Sequence, residues 1–182
     1  MVALGHRRIV FVAGRFAASD RSRLRYLGYA DAVQAAGAPV HPPAEVDFIA
    51  GADDVDLTEV VSRVQPTAFL ASNDLLAVSV IASLRRLGLH VPGHVSVVGF
   101  DGIALSRLMD PPLTTVEQPA GTMGIAAVSL LLEQGTGAAL HRRIILDHTF
   151  RPGGTLQPPA PPERRPQRRL SNRPLIHQES SR

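Results

Sequence analysis

Three short runs constrain this chain most: Arg8-Ile-Val-Phe-Val-Ala13, Thr67-Ala-Phe-Leu-Ala71 and Val95-Ser-Val-Val-Gly99. Each is apolar at nearly every position rather than at alternate ones. A strand of that kind has no face to give to water, so it belongs in a sheet covered on both sides. Helical stretches separate the runs. Arg21–Ala36 carries Leu24, Leu27, Ala30, Ala32 and Val33 near one face and stops at Gly37. A brief strand is expected at Ala38–His41. Asp53 or Asp54 caps a helix running to Val64, where Pro66 bars its continuation. Asp74–Leu87 is helical up to Gly88, and Thr114-Thr115-Val116 reads as a further strand. Strands alternating with helices define an α/β fold with a parallel sheet flanked by helices.

Such sheets bind ligands beyond the carboxyl ends of their strands. Four groups fall there: Gly14-Arg15, Asp47-Phe48, Ser72-Asn73-Asp74 and Phe100-Asp101. Each has an ordinary alternative. Ser72, Asn73 or Asp74 can cap the next helix, Asp101-Gly102 can be a turn pair, Phe48 can be core and Arg25 a solvated helix residue. Convergence on one edge favours a site. A carboxylate such as Asp101 accepts hydrogen bonds from two neighbouring hydroxyls. Asn73 offers donor and acceptor, Arg25 a fork of donors, and Phe48 a ring for an apolar face. That set suits a sugar, and also accommodates a purine or an amino acid.

Composition removes several function classes. The 182 residues include no cysteine, which excludes disulfides, thiol catalysis and thiolate metal sites. The seven histidines show no metal-ligand spacing, and no glycine-rich phosphate loop is present. No catalytic residue, metal ligand or cofactor is therefore assigned, and an enzyme is not expected. The net charge of +3 is misleading, because six arginines and two glutamates after residue 156 supply +4. The first 156 residues are left near −1, which is no nucleic-acid surface. The Pro- and Arg-rich segment 157–182 has little to bury and is expected to be disordered. The apolar run at Ile9–Ala13 is too short for a secretory signal, and no run approaches a membrane span, so a cytoplasmic protein is expected.

Four segments in order, "ALGHRRIVFVAG", "RLRYLGYADAVQAAG", "PTAFLASNDLLAVSVIASLRRLGLHVPGHVSVVGFDGI" and "PPLTTVEQPAGTMGIAAVSLLLE", resemble the effector-binding core of the LacI/GalR (lactose-repressor/galactose-repressor) family of transcriptional regulators. The resemblance runs from about Val2 to Thr155. It implies a periplasmic-binding-protein-like fold of two α/β subdomains with a small effector, expected to be a carbohydrate, between them. Ligand contacts are implied from Arg25, Phe48, Asn73 and Asp101, with Gln118 at a crossover between subdomains. The family's operator DNA is held by a helix-turn-helix head, usually in a homodimer. One departure is Gly102, where these repressors commonly carry a second acid.

On this resemblance residues 1–156 form a partial effector-binding domain, with 7–117 one complete subdomain and 118–156 part of the second. The helix Gly121–Glu133 and a strand near Arg143–Leu146 belong to that second subdomain. Its first half and the DNA-binding head are expected to be absent from this chain. A sugar receptor of a periplasmic transport system, which shares this fold, is the alternative expectation.

Overall fold

The computed structural model describes residues 1–47, 55–134 and 143–161. Its frame is one six-stranded sheet built from β1 (Ile9–Gly14), β2 (Ala44–Val46), β3 (Ala68–Ala71), β4 (Ser96–Asp101), β5 (Thr114–Glu117) and β6 (Thr149–Arg151). The strand order is β2-β1-β3-β4-β5-β6, and only β6 is antiparallel to its neighbour. The helices are α1 (Asp20–Ala35), α2 (Thr58–Val64), α3 (Asp74–Arg86), α4 (Ala104–Leu108) and α5 (Ala120–Gln134).

Alternation along β1 divides the core. Ile9, Phe11 and Ala13 pack with Tyr29 and Val33 of α1, whereas Val10 and Val12 pack with Leu76, Val80 and Leu84 of α3 and with Leu57. Apolar groups on both faces of the strand thus become two helix-covered layers, as expected from the sequence. The Tyr29 hydroxyl donates to the Ile9 carbonyl at 2.7 Å, and burial pushes its pKa up to about 12.

Four expectations change. No strand forms at Ala38–His41; β2 begins at Ala44, directly after Pro42 and Pro43. Proline cannot donate to a ladder, so pairing with β1 starts only once the prolines end. In α1, Leu24 and Leu27 point outward, 66% and 46% exposed, and the buried residues are Ser22, Tyr29 and Val33. Residues 143–148 form no strand; Ile145 is 77% exposed, and the strand that forms is β6, on the edge of β5. β4 runs on through Asp101 instead of stopping at Gly99, so Asp101 is the last strand residue. Asp53 and Asp54, expected as helix caps, lie outside the described residues; Asp56 Oδ1 accepts the Thr58 N–H at 2.8 Å at the start of α2.

The segment after β6, expected with the second subdomain, is tied back to the sheet. Thr155 accepts the Val97 N–H at 2.9 Å and returns its hydroxyl to the Val97 carbonyl at 2.7 Å. The Gln157 carbonyl accepts from Ser96 Oγ at 3.0 Å and from Nε2 of the buried His6 at 2.8 Å. The expected disordered tail therefore begins with an anchored residue, and residues 162–182 lie outside the described part. What leaves the sheet body is α5 with residues 143–148.

Candidate effector site

Asp101 ends β4 with φ +112, a left-handed conformation that side chains other than glycine rarely adopt. Two donors converge on its Oδ1: Arg25 Nη2 from α1 at 3.0 Å and Gln118 Nε2, just after β5, at 2.5 Å. Among the described residues nothing donates to Oδ2, and the Asp101 side chain is 31% exposed. Burial pushes the Asp101 carboxyl above the usual carboxylate range; Arg25 opposes the shift and the neighbouring Asp74 adds to it. A strained, partly desolvated carboxylate costs stability, and such residues cluster at functional sites.

The supports are local. Arg25 is held on three sides, with Nη1 donating to the Ser72 carbonyl, Nη2 to Asp101, and its guanidinium 4.0 Å from the Phe100 ring centroid. Its side chain is 19% exposed, so it is neither core nor the solvated arginine of the ordinary alternative. Gln118 follows β5 and precedes Pro119, which has no N–H with which to prolong the ladder. Its own N–H donates to the Asp101 carbonyl at 3.2 Å.

Asp74 serves the fold. Its carboxylate is buried and accepts from Thr115 Oγ1 at 2.5 Å and from the Ile103 N–H at 2.9 Å. Asn73 caps α3, its Oδ1 accepting the Leu76 N–H at 2.8 Å, which is the ordinary role weighed for it. The structure thus brings Arg25, Asp101 and Gln118 into contact and sets Asn73 beside the Ser72 carbonyl. Phe48 lies outside the described residues. Arg15 pairs with Asp47 at 3.2 Å on the exposed rim.

Two open grooves flank this cluster and share Gln118, Pro119 and Met123. One, of about 710 Å³, lies along Arg21, Asp101, Ile103 and Thr122; the other, of about 410 Å³, along Phe100, Leu130 and His148. Sequence reasoning missed Glu117, Arg107 and Arg151, which form an ion cluster beside the site. Gly102 belongs with them: at φ +75, a Cβ there would sit 2.7 Å from the Glu117 Cα, so an acid at this position has no room. Among the described residues no group of three or more potential metal ligands occurs, and no helix is long and apolar enough to cross a membrane.

Comparison with known proteins places the chain in a family. Residues 1–156 match the periplasmic binding protein-like domain family. The transcriptional repressor CytR of Escherichia coli is 36% identical over 136 residues, covering 73% of this chain and 40% of the relative. The repressor PurR of Pasteurella multocida is 31% identical over 147 residues, covering 79% and 44%. Among solved structures, a dimeric Lac repressor with a C-terminal deletion superposes with a TM-score of 0.78 at 29% identity, covering 87% of this chain and 58% of that one. The complex of the regulator CelR with cellobiose gives 0.75 at 29%, covering 85% and 48%. The chain thus spans less than half the length of the curated relatives it matches. It belongs to the periplasmic-binding-protein-like domain family, as an effector-binding domain of the LacI/GalR repressor type.

Proposed function

We propose that this domain senses a small polyhydroxylated effector, a carbohydrate, bound where Arg25, Asp101 and Gln118 converge. Asn73 and Phe48 complete the contacts. The effector lies in a cleft between the sheet body, residues 7–117, and a second subdomain that includes α5. Occupancy of the cleft governs operator binding by a helix-turn-helix head, in a cytoplasmic homodimer. The domain itself carries no catalysis. Repressor relatives, a cellobiose complex and a dimeric Lac repressor among the structural neighbours support this reading. They do not favour the transport-receptor alternative.

The carrying observation is the Asp101 carboxylate. Its Oδ1 is already oriented by two donors, its Oδ2 faces no protein donor among the described residues, and its backbone and burial both work against stability. Vicinal hydroxyls donate to such a carboxylate and accept from the Arg25 fork. Calorimetric titration with cellobiose and a panel of mono- and disaccharides tests it. Asp101→Ala is expected to weaken any sugar bound by the parent chain about tenfold to a hundredfold, the worth of a hydrogen bond to a charged acceptor. An unchanged dissociation constant would remove Asp101 from the site.

A further inference from the structure

One carboxylate beside the effector site gathers three separate segments. Glu117 ends β5, in register with Asp101 of β4 on one side and Thr149 of β6 on the other. Arg107 of α4 donates to both its oxygens from Nη2, at 2.7 and 2.9 Å. The Nε of Arg151, in β6, lies 3.1 Å from Oε2, too poorly aligned for a hydrogen bond but close enough for an ion pair. Arg151 also donates through Nη2 to Ser106 Oγ of α4. On the remaining side, the Gly102 backbone packs so closely that a Cβ would meet the Glu117 Cα at 2.7 Å. The residue after Asp101, the helix that follows it and the returning strand therefore all bear on the residue before Gln118.

We infer that Glu117 is a positioning residue for the effector site: its carboxylate clamps α4 and β6 to the end of β5 and so holds Gln118 against Asp101. This rests on the effector reading given above. The clamp is needed because the parts are short. β5 has four residues, β6 three and α4 five, lengths at which neither a ladder nor a helix holds its ends firmly. Gln118 is also where the chain leaves the sheet, since Pro119 cannot extend the ladder. The two arginines differ in weight. Arg107 is 57% exposed and its pair is screened by solvent, whereas Arg151 is 15% exposed, ion-paired to Glu117 and hydrogen-bonded to Ser106. Arg151 is the stronger anchor.

Nuclear magnetic resonance of the full chain without ligand tests the clamp through the Gln118 side-chain amide, identified by its disappearance in Gln118→Ala. In Arg151→Ala and in Glu117→Gln, the amide protons are expected to shift towards free-glutamine positions. Their exchange with water should speed up about tenfold, the protection one hydrogen bond supplies. Arg63→Ala, which breaks only the surface pair with Glu59, should leave them unmoved. If Arg151→Ala does not fold, Glu117→Gln, which preserves side-chain volume, decides alone. Unchanged Gln118 shifts and exchange in a folded clamp variant would overturn the inference. No sugar enters the measurement, so its outcome is separate from that of the titration testing the effector site.

Discussion

Gly99→Ala is expected to destabilise the domain by about 4 kcal/mol or more, the sum of overpacking and of displaced hydrogen bonds to a buried charge. A Cβ at this position would lie 2.3 Å from Asp74 Oδ1 and 2.9 Å from Leu113 Cδ2. Asp74 has nowhere to retreat, because its carboxylate already accepts from Thr115 and from the Ile103 N–H. Moving it breaks the bonds that join α3 to β5 and to the loop after Asp101. The glycine is thus required by close approach, at ordinary negative φ. Urea unfolding of the two chains measures the difference. A loss below about 1 kcal/mol, the range of an unremarkable surface change, would mean that Asp74 is less firmly held than its bonds indicate.

The second large effect concerns α5. Ile125, Val128, Leu131 and Leu132 are 71%, 56%, 68% and 70% exposed, so most of its apolar circumference meets water. A helix of fifteen residues without tertiary cover is marginal in water. Backbone amides of β1, β3 and β4, by contrast, lie between two packed layers and open only with the whole fold. Hydrogen exchange on dilute, monomeric chain is expected to be at least about a thousandfold faster in residues 120–134 than in those strands, since global opening costs roughly 5–15 kcal/mol. Raising the concentration should slow α5 alone, as apolar faces of separate copies cover one another. Equally slow exchange in α5 and β3 of the monomer would contradict this account of the exposed face.

These two effects also mark what the sequence discloses and what it hides. β1, β3 and β4 were legible because burial on both faces leaves an unbroken apolar run. β2 (Ala-Glu-Val) and β6 (Thr-Phe-Arg) are three-residue edge strands, one face or more in water, and no such run marks them. The inward face of α1 was misread because leucines were weighed above tyrosines. Tyr29 buries its ring and satisfies its hydroxyl on Ile9, while Leu24 faces water. Of the residues the sequence offered, Asn73 and Asp101 came from where strands end, Arg25 from the neighbouring helix and Gln118 from the family resemblance; Arg25, Asp101 and Gln118 are in contact, whereas Asn73 caps α3. Glu117 was illegible, because one of its partners is Arg151, and that pairing depends on an antiparallel register set far down the chain. The room Gly102 gives to Glu117 likewise appears only once β4 and β5 lie side by side.

On the proposed function, Asp101 is kept for a ligand at the expense of the fold. Its carboxyl titrates above the ordinary 3.8, so the folded state binds this proton more tightly than the unfolded chain does. The contribution to stability is full below pH 3.8 and is lost as pH rises through the raised folded value. At neutral pH the ionised group therefore works against folding. Asparagine keeps an acceptor, tolerates the positive φ and carries no charge. The most direct test melts Asp101→Asn beside the parent chain at pH 7 and titrates both with the same sugar. The variant is expected to melt no lower than the parent yet to lose sugar affinity. A variant that melts lower and binds the sugar as tightly as before would show that Asp101 serves the fold and not the ligand.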